Sequence, residues 1–321
     1  MRPDKSNGIH KKDNIFSMNK IVLPTGRDMV SILGEDFFKD EVRCDYLVTE
    51  KMKKLWAVIM DLYLEFARVC DKYGLRYFGY GGTILGAIRH EGFIPWDDDL
   101  DVCMPREDYE KLISIAPKEF TGSYLLQTPH SDPGYYKTIA RLMNKNTTYA
   151  SRAFLHSGMA HGCILDILPL DNCNPDTLDQ DMQEIKVSAK RCSEYLKRND
   201  TDIMTPEQYL GWKQYMTDNP MKEWDNIHQV ATRWKDIDTD YYCMMVFVLP
   251  GGRYNKPVPK EWFASSITKK FESIEVRVPQ DYESLLVATY GDYMQFPPVE
   301  KRGTWHGNLI LDPERPYTDY M

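Results

Sequence analysis

Residues 95–102 read Pro95-Trp96-Asp97-Asp98-Asp99-Leu100-Asp101-Val102, which places four carboxylates in five positions just before an apolar run. If the chain is extended from Leu100 onward, Asp99 and Asp101 project from the same face, with their Cα atoms about 7 Å apart. Carboxylates this close repel one another, and a divalent cation that prefers oxygen ligands relieves the repulsion. The stretch therefore predicts a metal clamp or, as the plainer alternative, a solvated acidic turn.

A glycine-rich turn directly upstream favours the metal clamp. The stretch reads Tyr77-Phe78-Gly79-Tyr80-Gly81-Gly82-Thr83-Ile84-Leu85-Gly86-Ala87-Ile88-Arg89-His90, so that an aromatic strand leads into two glycines and then into a short helix. Glycines let backbone amides approach a ligand closely, and we expect Thr83 to cap the helix. Together with the acidic strand, this turn predicts a phosphate cradle that faces a metal site.

These two stretches resemble the LicD family, which lies within the nucleotidyltransferase fold that also includes fukutin and fukutin-related protein. The matching core runs from Gly81 through Val102 and continues at Met104-Pro105-Arg106-Glu107-Asp108-Tyr109. A second block looks similar near the end, at Tyr290-Gly291-Asp292-Tyr293-Met294, Pro297-Pro298, Glu300-Lys301-Arg302 and His306. The likeness covers roughly residues 50 to 317, with a variable middle.

The resemblance implies an α+β fold with a nucleotidyltransferase-like mixed sheet flanked by helices. The helical and charged pattern from Asp176 to about Asp236 predicts an inserted or appended helical subdomain. We assign an N-terminal arm to residues 1–50, the catalytic core to 51–175, the helical subdomain to 176–240, and a C-terminal part that completes the core and donor site to 241–321. The arm is polar enough to predict a flexible or loosely docked segment. Apolar residues at helical spacing from Leu55 to Val69, followed by Gly74, predict a long core helix.

A third acid lies inside a later hydrophobic run, Cys163 to Asp171, which predicts a buried strand with Asp166 at its centre. Burying an acid in such a run is unfavourable without a compensating partner. Asp166 is therefore metal-linked, hydrogen-bonded or wrongly placed by this interpretation. In the nucleotidyltransferase pattern that the chain resembles, a third carboxylate comes from a strand of this kind.

The resemblance also implies roles for individual residues. It implies Mg²⁺ or Mn²⁺ on the metal ligands Asp97, Asp99, Asp101 and Asp166, of which Asp99, Asp101 and Asp166 are the catalytic candidates. It implies donor contacts from Gly81, Gly82, Thr83, Arg89, Lys301, Arg302 and His306. Arg89 would reach a phosphate or pair with the acids, and Asp166 would be a shared ligand or the general base. Asp98 falls where fukutin-related protein has no acid, so we give it less weight.

The implied activity is metal-dependent transfer of a phospho-substituent to a hydroxyl. The best-known bacterial case moves phosphocholine from CDP-choline onto a glycan or lipid-linked glycan precursor, such as lipopolysaccharide or teichoic acid, and the cargo here stays open. One alternative is a nucleotidyltransferase that places a nucleoside monophosphate on a small molecule. Another is a glycan-binding protein without catalysis.

Composition limits the classes of partner and the cell compartment that we expect for this protein. A formal net charge of −8 disfavours nucleic acid, because binding to it depends on clustered Lys and Arg. The mean hydropathy of −0.52 argues against a membrane protein. The longest apolar run, Tyr241 to Leu249, is too short for a transmembrane segment. Seven scattered cysteines and a polar N-terminus without an apolar signal core predict a cytoplasmic location.

Overall fold

The computed structural model describes residues 21–132, 135, 137–151, 155, 158–197, 207, 210, 214, 221–246, 254–303 and 309–321. Its α-helices are α1 (Met29–Leu33), α2 (Glu50–Tyr73), α3 (Gly82–Arg89), α4 (Arg106–Glu119), α5 (Leu178–Lys197), α6 (Lys222–Ala231) and α7 (Tyr282–Tyr290). Its strands are β1 (Glu41–Arg43), β2 (Tyr46–Val48), β3 (Phe78–Gly79), β4 (Asp101–Pro105), β5 (Tyr124–Gln127), β6 (Ala140–Asn144), β7 (Thr148–Ser151), β8 (Cys163–Cys173), β9 (Tyr241–Cys243), β10 (Val258–Pro259), β11 (Ser266–Phe271), β12 (Ile274–Pro279) and β13 (Leu309–Asp312).

A seven-stranded mixed sheet forms the centre of the molecule. Strand order runs β10-β9-β8-β4-β3, and β6 pairs with both β5 and β8. Among the strands of this sheet that the structure describes, β4 and β8 pair in parallel and the other neighbours are antiparallel. Strand β8 is buried along almost its whole length, as expected of a strand that has helices on the sheet faces. The predicted α+β fold with a mixed sheet flanked by helices is confirmed.

Helix α2 packs under the acidic stretch and helps to fix its position. It begins at the Thr49 cap and ends at Gly74, which is left-handed at φ 65°, as the sequence predicts. Along its buried face, Trp56 stacks on Phe93 with ring centroids 4.6 Å apart. The Trp56 Nε1 donates a hydrogen bond of 2.9 Å to the carbonyl oxygen of Asp97. An aromatic anchor in the core therefore holds the backbone of the acidic turn.

The N-terminal segment from residue 21 onward is more ordered than the sequence predicts. Met29 and Phe38 are buried in the core, and β1 and β2 form a hairpin. The amide of Gly26 and the guanidinium of Arg27 both donate to the carboxylate of Asp61, which is fully buried on α2. This charge-assisted contact docks the segment, and polar composition alone could not reveal it because the partner lies on another element. Residues 1–20 lie outside the described part of the chain.

The predicted helical segment, residues 176–240, contains α5 and α6, which pack against each other. Residues 198–206 and 215–220 lie outside the description, and the proposed domain boundaries stay predictions. Among the described helices, none combines the length and apolarity needed to cross a bilayer.

Candidate active site

One level of the central sheet carries three charged residues side by side. Asp101 on β4 pairs in register with Asp166 on β8, and Asp166 pairs in register with Arg141 on β6. Residues directly opposite each other on neighbouring strands point to the same face of the sheet. The structure therefore brings Asp166 next to Asp101, although the two lie 65 positions apart in the sequence.

The acidic turn before β4 adds three more carboxylates. Ligand oxygens of Asp97, Asp98 and Asp99 lie within 4.8 Å of one another. Asp98 is 5% exposed and its Oδ2 accepts a hydrogen bond of 3.4 Å from the Tyr149 hydroxyl. We call Asp97, Asp98, Asp99, Asp101 and Asp166 the acid cluster. Asp98 lies within this cluster, although the sequence analysis ranks it below the other acids as a site residue.

The acid cluster carries more negative charge than its surroundings compensate. Withdrawal from water and the neighbouring Asp99 and Asp98 raise the pKa of Asp97 well above its usual value. Withdrawal from water and the charges of Asp99, Asp166 and Asp97 do the same to the pKa of Asp101. Groups with strongly displaced pKa values that share one cleft are typical of functional sites. A hard divalent cation would relieve this repulsion, so the donor set fits Mg²⁺ or Mn²⁺.

Two basic residues that we did not predict face the acids. The Nε of Arg141 lies 2.6 Å from Asp166 Oδ1, and its Nη2 donates to Asp166 Oδ2 at 3.1 Å. Lys137 is half-buried just upstream, and burial together with Arg141 lowers the pKa of Lys137 to about 7. Arg141 lies inside the apolar run from Ile139 to Met143. A charged residue within an apolar run is also the feature that identified Asp166 as a candidate.

The glycine turn lies against the acids, although its detail differs from the prediction. A Cβ atom on Gly82 would lie 2.7 Å from Asp97 Oδ2, so any other residue would force the Asp97 carboxylate to shift. Helix α3 begins at Gly82 with Gly81 as its N-cap, and the prediction that Thr83 caps the helix is wrong. The Thr83 hydroxyl instead accepts a hydrogen bond of 2.8 Å from the amide of Asp101, because a buried strand amide at that position needs an acceptor. Thr83 therefore ties the glycine turn to β4.

The predicted basic donor ligands lie around Phe296, beside the acidic turn. Arg89 donates from Nη1 to the carbonyl oxygen of Tyr293 at 2.8 Å. Arg302 donates from Nη1 to the carbonyl of Cys44 at 2.8 Å. Both guanidinium groups lie over the ring of Phe296, at 4.9 and 5.6 Å from its centroid. Their visible role is to hold the C-terminal segment, and their contact with a donor stays a prediction.

The two other predicted donor ligands of that basic block are Lys301 and His306. Lys301 ends a short 3-10 turn, Val299–Lys301, and is exposed. His306 lies outside the described residues.

His90, next to Arg89, gives a prediction for the pH dependence of stability. Its Nε2 accepts a hydrogen bond of 2.9 Å from Arg89 Nε, and burial, Arg89 and Arg43 lower the pKa of His90 to about 4. Between about pH 6.5 and pH 4 the unfolded chain binds the proton more readily than the folded one, so stability falls as the pH falls through this window. Because the ring is partly solvated, we expect His90→Gln to reduce the acid-induced loss of unfolding free energy by only about 2 kcal/mol. Urea unfolding at pH 7 and pH 4.5 measures this difference. An identical loss in both proteins would contradict the interpretation.

A separate polar cavity of about 340 Å³ lies at the other end of β4 and β8. Its lining includes Arg106, Glu110 and Asp171, and Arg106 Nε lies 2.6 Å from Asp171 Oδ1. Asp171 stands five positions after Asp166 on the same strand and therefore points to the opposite face of the sheet. The cavity is thus distinct from the acid cluster.

Comparisons with known proteins match the segment that carries most of these residues. Residues 74–147 match the family described as LicD/FKTN/FKRP, nucleotidyltransferase domain. That match contains the glycine turn, the acidic turn and Arg141, and it ends before Asp166.

Three curated proteins are similar to this chain over different spans. The lipopolysaccharide cholinephosphotransferase LicD of Haemophilus influenzae is 27% identical over 256 residues, which cover 78% of this chain and 93% of that protein. An uncharacterised protein of Rickettsia prowazekii is 47% identical over 69 residues, 22% of this chain and 24% of that protein. A second, from Rickettsia typhi, is 35% identical over 74 residues, 23% of each chain.

Proposed function

This chain belongs to the LicD family, and from that premise we propose that it moves phosphocholine from CDP-choline to a hydroxyl of a cell-surface glycan precursor, with Mg²⁺ or Mn²⁺ as cofactor. The similarity to the Haemophilus lipopolysaccharide cholinephosphotransferase supports both the phosphocholine cargo and a lipopolysaccharide acceptor. A glycan or lipid-linked glycan is the acceptor class that we infer.

The observation that carries this proposal is the row of Asp101, Asp166 and Arg141 on three adjacent strands. Transfer of a phosphorus group depends on neutralising phosphate charge and on placing the attacking oxygen in line. The row presents carboxylates and a guanidinium on one face, next to a glycine turn that leaves room for a ligand. This combination suits a charged diphosphate donor better than a neutral glycan alone.

We assign the metal ligands to Asp97, Asp99, Asp101 and Asp166. Their carboxylate oxygens are hard ligands. The raised pKa values of Asp97 and Asp101 indicate that the cluster holds more negative charge than Arg141 compensates. When bound, the cation would offset charge on the donor phosphates.

The protein's own residues supply the remaining functions. Arg141 and Lys137 place positive charge on the side of the cluster away from β3, where they are suited to phosphate oxygens. In the transfer, the acceptor oxygen bonds to the phosphorus of phosphocholine, and the bond from that phosphorus to the bridging oxygen breaks. CMP leaves with that oxygen. The acceptor proton passes to a carboxylate, for which Asp166 is our candidate.

Incubation with a panel of donors tests the proposal. CDP-choline, CDP-ribitol, CDP-glycerol and CTP are each supplied with Mg²⁺, with and without a glycan acceptor, and CMP and pyrophosphate are measured. We expect acceptor-dependent CMP release from CDP-choline and none after chelation with EDTA. Pyrophosphate release from CTP would instead support a nucleotidyltransferase, and binding of glycan without release of either product would support a non-catalytic protein.

A further inference from the structure

The polar cavity at the end of β4 and β8 holds charged side chains that the proposed reaction does not use. Its volume of about 340 Å³ lies within the range of about 300–1,000 Å³ that small-molecule pockets occupy. Its walls come from the first turn of α4, the end of β8, the end of α6 and β9. Because β4 runs from Asp101 to Pro105, the cavity lies about 13 Å along the strand from the acid cluster. The cavity is therefore large enough, and far enough from the acids, to be a separate binding site.

An ion pair in the cavity wall is buried and yet keeps polar atoms without partners. Arg106 Nε donates to Asp171 Oδ1 at 2.6 Å, and the two side chains are 9% and 0% exposed. Within the described part of the chain, no group forms a hydrogen bond with Arg106 Nη2 or with Asp171 Oδ2. Buried polar atoms in native proteins are nearly always hydrogen-bonded. Two open positions beside a cavity therefore indicate that a polar ligand binds there.

A third open atom belongs to Glu110, which lines the same cavity. Its Oε1 is buried and has no hydrogen-bond partner among the residues that the structure describes. His228 Nε2 lies 3.7 Å from this oxygen, which is beyond hydrogen-bond distance. The cavity thus offers N–H donors on Arg106 and acceptor oxygens on Asp171 and Glu110. A ligand that fits all three positions must accept at least one hydrogen bond and donate at least two.

The charge of the lining favours a neutral ligand over an ion. Counting described residues only, four acidic and three basic side chains line the cavity. A phosphate would meet carboxylates beside Arg106, and a metal cation would meet the guanidinium together with Lys235 and Lys260. The carboxylate of an amino acid would have to compete with Asp171 for Arg106. A hydroxyl group both donates and accepts, so neighbouring hydroxyls on one small molecule match the open positions.

We propose that this cavity binds a neutral sugar unit, with one hydroxyl accepting from Arg106 Nη2 and others donating to Asp171 Oδ2 and Glu110 Oε1. Tyr242 and Lys260 contribute a further wall, in which Lys260 Nζ lies 5.2 Å from the centroid of the Tyr242 ring. Asp171 points to the opposite face of the sheet from Asp166, so the bound sugar is not the hydroxyl that reacts. The site needs neither metal nor donor and is independent of the proposed function.

Binding of free hexoses tests the ligand class. Ligand-observed NMR titrations use glucose, galactose and mannose, each without metal or CDP-choline. We expect at least one of them to bind with a Kd of about 1–10 mM, and an equal concentration of inorganic phosphate or glycine not to displace it. Absence of binding by all three hexoses, or displacement by phosphate or glycine, would overturn the proposal.

Substitutions in the cavity locate the bound sugar. Arg106→Gln combined with Asp171→Asn removes both charges together and leaves no uncompensated buried charge. This double variant should weaken hexose binding at least about tenfold, and Glu110→Gln, at a half-buried position, should weaken it about fivefold. The matched control replaces an exposed pair by Arg315→Gln with Asp312→Asn and should bind as the wild type does.

Asp101→Asn separates this cavity from the acid cluster. Its hexose affinity should stay within twofold of the wild-type value. Loss of hexose binding in Asp101→Asn would place the sugar at the acid cluster and overturn the proposal. Wild-type hexose affinity in Glu110→Gln would also overturn it, whether or not the double variant folds.

Discussion

Asp101→Asn is expected to reduce transfer at least about a thousandfold while the protein stays folded. Asp101 lies between the two parts of the acid cluster. It pairs with Asp166 on β8, and it is near Asp97 and Asp99 of the acidic turn. The folded state raises the pKa of Asp101, so a negative charge at this position opposes folding. The neutral isostere should therefore raise the unfolding free energy without metal by about 1 kcal/mol. Product release and urea unfolding measure the two effects.

Asp45→Asn is the matched control for this variant. Asp45 lies in the turn between β1 and β2 at φ 57°, a conformation that asparagine also tolerates. It should leave turnover and stability near wild type. Turnover by Asp101→Asn within tenfold of the control would rule out a role for Asp101 in the reaction.

Arg141→Met is expected to destabilise the protein by about 3 kcal/mol. The side chains of Arg141 and Asp166 are only 17% and 11% exposed. Removing the guanidinium leaves a largely buried carboxylate beside Asp101 without its counter-charge. In the double variant Arg141→Met with Asp166→Asn, most of the loss should be recovered, because no uncompensated charge remains. Urea unfolding in EDTA measures the difference of each variant from the wild type.

An exposed pair provides the comparison for Arg141. Arg315 is 63% exposed and its Nε lies 2.8 Å from Asp312 Oδ2. Arg315→Met should change stability by about 1 kcal/mol or less, as is usual for surface ion pairs. Equal effects of Arg141→Met and Arg315→Met would show that the Arg141 pair is not a buried neutralising contact.

Added Mg²⁺ should restore part of the stability that Arg141→Met loses, because the cation replaces the missing positive charge.

The acidic half of the site follows from local sequence. An acid that interrupts an apolar strand needs a partner, and the resemblance to the nucleotidyltransferase pattern is what links Asp166 to the site of Asp101 without a structure. The same reasoning applies to Arg141, but the sequence does not show which strand lies next to β8. Register between distant strands depends on tertiary packing, which local pattern does not encode.

The approach of two distant tyrosines to the glycine turn is beyond sequence reasoning for a related reason. Tyr254 and Tyr290 reach Gly81 from positions far along the chain, and aromatic residues are more often core than ligand contacts. Thr83 shows a different limit. Its type predicts a cap, yet the amide of Asp101 offers the hydroxyl a better partner. Helix-capping preference gives way there to the demand of a buried strand amide.

The central claim is that the acids of β4 and β8 bind a cation that also contacts the donor. Electron paramagnetic resonance of bound Mn²⁺ tests this claim most directly. The account predicts saturable Mn²⁺ binding to the wild type and to Asp45→Asn, tightened by CDP-choline, and its loss in Asp101→Asn. Equal Mn²⁺ binding by Asp101→Asn and the wild type, or undiminished transfer by the wild type in EDTA, would contradict it.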